Sequence, residues 1–387
     1  MLFEAQLEWG TPELERQTIL DCLEQAVYGE EMGFDGVWAV EHHSLVEYSH
    51  MTSPEVFLAA VAARTSTVRV GHAAVCMPFA YNPPARVAER AAMLDVISNG
   101  RLNLGAARGA TETEMSLCGV PSKDVTAAQV RETLRFIGHC WRDDTIEWES
   151  DLLSIHPPEG RPAHTILPRP VQRPHPPLFL ACTSPDTVKI AARYGVAPLI
   201  LGFGGPEAVG NLRAMYDEAC RHRDPADFVS PGVTNDQFVA LCPTFLMEDK
   251  EKALPIGARA LRFFGEAISH WAGPNAPAPT HGTEDADNIA FMNERWKGYR
   301  EAETRGEGPV TPAARNFNLD HAIGDADTAI AYVKRLERAG VTNVMCLIQM
   351  GTLTQDQQME TIRLWGQHVI PYFRDRDVGT TAAALAG

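Results

Sequence analysis

A single (β/α)8 barrel over residues 1–387 is the fold class the sequence predicts, and three observations carry it. Short apolar runs alternate with longer amphipathic stretches, the pattern of repeated βα units around a parallel sheet. Eight such runs occur, each with a helical stretch after it, and no shift in composition marks a midpoint boundary. The competing architecture, an open doubly wound sheet, would carry the dinucleotide fingerprint G-x-G-x-x-G, which is missing, as is the phosphate loop G-x-x-x-x-G-K-[ST].

In order, a strand at Leu2–Leu7 precedes a helix at Glu13–Met32 that Gly33 closes. Phe34–Val40 is the second strand, and Ser53–Ala63 the second helix, with Pro54 in its first turn where a missing N–H costs nothing. Val68–Met77 and Pro84–Ile97 form the third unit. The turn Asn99-Gly100 leads into the fourth strand, Arg101–Ala107, and a helix from about Ala127 to Trp141 completes that unit. Residues 142–177, rich in Pro, His and charge, read as an irregular insertion. Leu178–Cys182 then leads to Pro185–Tyr194, Val196–Leu201 to Pro206–His222, and Gln237–Met247 to a helix beginning near Asp249. A second irregular insertion, 271–318, carries Trp271, Phe291 and Trp296. A helix (Ala326–Ala339), a last strand (Asn343–Gln349) and a last helix (Gln355–Phe373) follow, and residues 374–387 read as a frayed tail.

Composition narrows the function classes. With 34 Lys+Arg against 50 Asp+Glu, the formal charge of −16 repels nucleic acid and anionic lipid, and no basic cluster interrupts it. The first residues lack the basic start and apolar stretch of a signal peptide, and no segment approaches the roughly 20 apolar residues that span a bilayer. The eight cysteines are scattered singly, without C-x-x-C spacing, which predicts free thiols and a cytoplasmic location and argues against structural zinc.

A barrel of this kind does its chemistry at the C-terminal ends of its strands. The second strand ends in Glu41-His42-His43, where an imidazole could transfer protons near neutral pH; the plain alternative is a pair of polar rim residues. The third ends in Gly71-His72-Ala73-Ala74, small enough for a flat ligand to lie on the backbone, or simply packed core. The fourth ends in Ala107-Arg108-Gly109, suited to an anion or a polarised carbonyl, or else to a surface ion pair with Glu112 or Glu114. After the fifth, Thr183-Ser184-Pro185-Asp186-Thr187 caps a helix, and the same N–H groups can receive an anion, with Arg131 as counter-charge if the loops meet.

Taken together these residues resemble the bacterial luciferase-like flavin monooxygenases. The matched features run in order: Gly33-Phe34-Asp35-Gly36-Val37-Trp38 into Glu41-His42-His43, Val70-Gly71 through Pro78, Arg86, Glu89, Leu94-Asp95, and Ser98-Asn99-Gly100-Arg101 to Arg108-Gly109. Thr183-Ser184-Pro185 with Thr187, Ala191-Ala192, Ile323-Gly324-Asp325, Ala339-Gly340-Val341 and Val369 through Phe373 complete the set. The resemblance implies a reduced FMN cofactor, molecular oxygen, a C4a-peroxyflavin, and a small substrate that gains one oxygen atom. It implies His42 as the histidine near the flavin, with Arg108 also in the catalytic set. The Ala73-Ala74 bond resembles the family's cis peptide beneath the isoalloxazine. Thr183, Ser184 and Thr187, with Arg131 and Arg108, resemble its flavin and phosphate anchors.

A partner NAD(P)H:flavin reductase is expected, because no nicotinamide fingerprint is present, and homodimers are common in the family. Two departures stand out. Ala107 replaces the reactive cysteine of the luciferases proper, so light emission is not implied, and 271–318 lies where the family places a mobile lid. The rival readings are a deazaflavin F420-dependent hydride-transfer enzyme on the same barrel and a non-catalytic flavin-binding accessory subunit.

Overall fold

The computed structural model describes residues 1–143, 145–273, 276–305 and 316–375. The eight runs read as strands close into one parallel ring. Its members are β1 (Leu2–Phe3), β2 (Gly36–Ala39), β3 (Arg69–His72) continued by β4 (Val75–Cys76), and β5 (Leu102–Ala107). After a small antiparallel hairpin, β6 (Trp148–Glu149) and β7 (Ser154–Ile155), come β8 (Leu178–Cys182), β9 (Ala197–Ile200), β10 (Val239–Leu246) and, past β11 (Ala322–Gly324), β12 (Asn343–Leu347). Ring order follows chain order, and Leu2 closes it by pairing with Trp38 on one side and Leu347 on the other. Every residue of β10 is buried, as expected of a parallel strand covered on both faces. Phe3, Phe179, Phe238 and Phe245 lie fully buried in the core. Gly71 lets Trp38 fill the space beside β3, since a Cβ there would stand 2.3 Å from the indole.

The surrounding helices are α1 (Pro12–Glu31), α2 (Pro54–Arg64), α3 (Pro84–Ile97), α4 (Glu112–Leu117), α5 (Lys123–Cys140), α6 (Pro185–Tyr194) and α7 (Gly205–Arg221), then α8 (Lys250–Ala272), α9 (Asn288–Thr304), α10 (Ala326–Arg338) and α11 (Gln355–Leu364).

The structure corrects the sequence reading in four places. The third strand is interrupted: β3 and β4 flank the Ala73-Ala74 peptide, which is cis. β11 is an additional short strand that pairs with the outer half of β10. The short helix α4 lies between the fourth strand and its helix, a stretch to which the sequence reading assigns no element. The second insertion is largely helical where it is described, because α9 occupies 17 residues of it; its residues 274–275 and 306–315, and the tail beyond 375, lie outside the described residues.

α8 does not simply run down the outside of the barrel. Its Phe264 meets Tyr48 at 5.6 Å and Phe203 at 5.6 Å, Trp271 Nε1 donates to Glu47 Oε2 at 3.2 Å, and Arg259 Nη2 donates to the Thr352 carbonyl at 3.1 Å. Those partners belong to loops after β2, β9 and β12, so α8 crosses the C-terminal mouth. Among the described residues no helix is long and apolar enough to cross a membrane.

Candidate active site

The mouth is organised by the chain leaving β2. Glu41 ties that segment to the third strand: its carboxylate accepts the Cys76 N–H at 2.8 Å and the Asn82 amide at 2.9 Å, and pairs with His43 Nε2 at 3.2 Å. His42 turns the other way, its Nδ1 2.9 Å from Oε1 of Glu114. Glu114 lies in the first turn of α4, where Thr111 caps the helix and Glu114 answers as the reciprocal member of a capping box. Its carboxylate accepts four further hydrogen bonds: the His43 N–H (3.2 Å), the Ala110 N–H (3.1 Å), the Thr111 N–H (2.9 Å) and the Thr111 hydroxyl (3.0 Å).

This geometry decides the charges. Burial pushes Glu114 up, but the His42 hydrogen bond and charge, with the Thr111 and His43 donors, hold it below the usual carboxylate range. Burial pushes His42 down, but its bond to Glu114 and the charges of Glu4, Glu114 and Glu41 carry it above the ordinary imidazole value. The two form a part-buried pair whose contact favours the imidazolium–carboxylate form. Nδ1 is taken by Glu114, so a proton exchanged with a bound molecule would sit on Nε2. The distinct histidine at the end of β3 behaves oppositely: His72 is drawn down to about 3 by burial, then by the Arg90 charge, and is a neutral packing group.

Beside the pair lies a bed of small residues. Ala73 and Ala74 flank the cis peptide, and β5 offers Gly105, Ala106 and Ala107. Gly105 is sterically required: a Cβ there would stand 2.2 Å from the His72 carbonyl and 3.2 Å from Ala74 Cβ. Arg108 follows, with Nε donating to the Thr126 hydroxyl at 3.1 Å and Nη2 to the Lys123 carbonyl at 3.3 Å. Both partners are neutral oxygens. The ion-pair alternative for Arg108 fails for Glu114, whose carboxylate faces His42.

Ser184 caps α6 with Thr187 in a second capping box: the Thr187 N–H donates to Ser184 Oγ at 3.3 Å, and the Ser184 N–H to Thr187 Oγ1 at 3.1 Å. Thr183 stands exposed just before it. Arg131 is elsewhere. Its guanidinium lies 5.3 Å from the Tyr194 ring and 3.7 Å from Asp227, at the C-terminal end of the ten-residue α6. At 1.5 Å per residue that is about 15 Å from the Ser184 cap, so the register of α5 turns Arg131 away from Ser184 and Thr187.

Of the three aromatics expected over the mouth, only Trp271 reaches it. The Phe291 ring lies 3.8 Å under the Arg262 guanidinium and packs on Phe317, and Trp296 stacks on Tyr299 at 5.1 Å, a second layer formed by α8 and α9. Phe264, Phe203 and Tyr48 close the centre instead, and sequence reasoning passed over all three, together with Glu4 and the partnership of Glu114 with His42. Among the described residues no group of His, Cys, Asp and Glu is arranged to hold a metal ion.

The arrangement fits a flavin. A planar ring system needs a flat floor without side chains, which the Gly105 contact and the alanine bed supply, and a phosphate needs a cation, which Arg108 can offer since its two hydrogen bonds go to neutral oxygens.

Comparison with known proteins agrees. The luciferase-like monooxygenase family profile matches residues 2–343. The chain is 26% identical over 384 residues to the oxygenase component of a flavin-dependent trigonelline monooxygenase from Acinetobacter baylyi, covering 96% of this chain and 94% of that protein. Its fold is shared with a monooxygenase from Streptomyces bottropensis (TM-score 0.71, 23% identity, 92% of this chain and 94% of that one). It is also shared with the oxygenating constituent of 3,6-diketocamphane monooxygenase from Pseudomonas putida, solved with FMN (TM-score 0.69, 19% identity, 96% and 97%). An F420-dependent tetrahydromethanopterin reductase from Methanopyrus kandleri has the same barrel (TM-score 0.65, 19% identity, 92% and 96%). With a closed parallel ring, a histidine–carboxylate pair at its mouth and a family match across most of its length, the chain belongs to the luciferase-like monooxygenases, flavin-dependent oxidoreductases built on a (β/α)8 barrel.

Proposed function

We propose that this chain is the oxygenase component of a two-component system, taking reduced FMN from a separate NAD(P)H:flavin reductase and inserting one atom of O2 into a small organic substrate. The observation that carries this reading is the His42–Glu114 pair beside the small-residue floor: an imidazole whose contact with a buried carboxylate favours its protonated form, next to the place where a flavin would lie. Bound FMN would supply the electrons and the carbon at which oxygen is activated. The protein's part is to hold the cofactor, exclude water and place a proton.

Ala73 and Ala74, with Gly105, are the floor. Ser184, Thr187 and Arg108 hold the phosphate end, with Thr183 at its rim. Arg131 has no part in this set, because it is committed to Tyr194 and Asp227. His42 keeps its proton through Glu114 and presents Nε2 to the reacting oxygen. Phe264, Phe203 and Tyr48 keep bulk water from the centre of the mouth. The relative named as an oxygenase component supports a partner reductase, and the FMN-bound neighbour supports FMN.

The homodimer reading is supported by Met93, Val96 and Ile97, three exposed apolar side chains on the last turns of α3. Eight free cysteines suit the reducing cytoplasm. The experiment is an anaerobic titration of the purified chain with FMNH2 and, in parallel, with reduced F420. Saturable binding of FMNH2 and none of F420 is expected; the reverse preference would replace the oxygenase reading with deazaflavin hydride transfer.

A further inference from the structure

We infer that Glu4 is a positioning residue that governs, across Tyr48, the charge His42 carries at the barrel mouth. Glu4 is the first residue after β1, so it stands at the same C-terminal rim as His42, His72 and Arg108. It is only 3% exposed. Its carbonyl accepts the Ser49 hydroxyl at 2.7 Å, which pins the backbone to the loop that follows His42. Its carboxyl is poorly served: Oε1 accepts a long bond from Tyr48 Oη at 3.5 Å, and Oε2 is buried with no hydrogen-bond partner.

The contrast with its neighbours is the argument. Glu41 and Glu114 are each met by several donors at 2.8–3.2 Å. Nothing comparable stabilises the ionised form of Glu4, and a buried carboxylate without donors favours its neutral form. Burial pushes Glu4 up to about 7, against the pull of the His42 charge and the Tyr48 hydroxyl, with Glu114 adding to the rise. Tyr48 is the spacer, its ring 5.0 Å from that of His42 and clamped from the far side by Phe264 at 5.6 Å.

The groups facing this pair are few. Glu41 and Tyr48 come from the β2 segment and Glu114 from α4. From β12 the approach is by the uncharged Gln349, whose Oε1 accepts the Ala5 N–H at 2.6 Å, and from α8 by the apolar Phe264. Glu4 is therefore the group whose proton can come and go near neutral pH within reach of His42. When it leaves, the imidazolium gains a second counter-charge beyond Glu114; when it returns, that support is lost. The two titrate as a coupled system.

The test follows the His42 ring by NMR across pH in flavin-free protein, so its outcome is separate from whether the chain proves to be an oxygenase. In Glu4→Gln, which keeps the shape and removes the charge, His42 should lose its proton about one pH unit lower than in wild type. Glu4→Asp should move it back towards wild type. Tyr48→Phe, which deletes the one hydrogen bond to the carboxyl, should shift it in the same direction as Glu4→Gln but less. An unchanged His42 titration in a folded Glu4→Gln protein would overturn the inference. If that variant does not fold, an unchanged titration in Tyr48→Phe would do so.

Discussion

Replacing Glu114 by Gln removes one charge and reverses one set of hydrogen bonds in a side chain with no solvent exposure. Oε1 serves His42 Nδ1 and the His43 N–H; Oε2 serves the Ala110 and Thr111 N–H groups and the Thr111 hydroxyl. A glutamine has one acceptor oxygen, so its NH2 must face N–H donors on one side or the other. Each buried donor left without a partner costs about 1–3 kcal/mol, and removing one member of a buried ion pair about 3–5 kcal/mol. A loss of about 3 kcal/mol at pH 6 is the expected outcome. The pH dependence carries the sign. His42 is raised in the fold, so its contribution is present below the unfolded imidazole value and is lost as pH rises through the folded value. Glu114 is lowered, so its contribution is present above the unfolded carboxylate value and is lost as pH falls. Between about pH 4.5 and 6.5 both are in place. Above that window a neutral His42 can turn its Nδ1 lone pair to the new amide, and the loss should shrink by about 1–2 kcal/mol. Urea unfolding of the flavin-free protein at pH 6 and pH 9, read by tryptophan fluorescence, measures both. Equal losses at the two pH values, or a loss under about 1 kcal/mol at pH 6, would refute the charged pair.

Other outcomes follow from the same geometry. Ser184→Ala with Thr187→Ala should weaken FMN binding far more than riboflavin binding, since only FMN has a phosphate; equal weakening would mean the hydroxyls only cap α6. Arg108→Ala should weaken FMN selectively, whereas Arg131→Ala should leave FMN affinity unchanged and lower the melting temperature slightly, as calorimetry would show. Gly105→Ala should destabilise the fold by at least about 1–3 kcal/mol, because its methyl would overlap the His72 carbonyl; wild-type stability in that variant would remove the close approach of β5 to the cis peptide. Val96→Glu on α3 should yield a monomer in sedimentation if that face joins two copies.

The barrel was legible because strands buried on both faces read as mostly apolar runs, as in β8 (Leu178–Cys182) and β10 (Val239–Leu246), and the same rhythm recurs eight times. β11 was not, since Ala322-Ile323-Gly324 is too short to show any pattern. α9 was hidden because a 17-residue helix lying on another helix exposes charge on most of its surface. His42 could be picked from its place after a strand, but Glu114 lies 72 residues further on, and only the capping box of α4 brings it within 2.9 Å. Thr111-x-x-Glu114 is itself a capping signature, and reading it would have revealed α4. Glu4 stood with Gln6 as one of two polar residues in the run Leu2–Leu7, and nothing local set it apart. That Arg131 stands by Tyr194 and Asp227 could not be read from the sequence, because a shift in helix register turns a side chain through roughly 100° per residue, and one residue cannot set that register.

The central claim is that this mouth holds reduced FMN and controls its reaction with oxygen. The direct measurement is to load the chain with FMNH2 without air, mix it rapidly with oxygenated buffer, and follow flavin absorbance and hydrogen peroxide release together. The account predicts that bound FMNH2 is reoxidised more slowly than free FMNH2 and that His42→Ala, with flavin affinity near normal, reoxidises faster and releases more peroxide. Reoxidation at the free-flavin rate, at protein concentrations where binding is saturated, would contradict it.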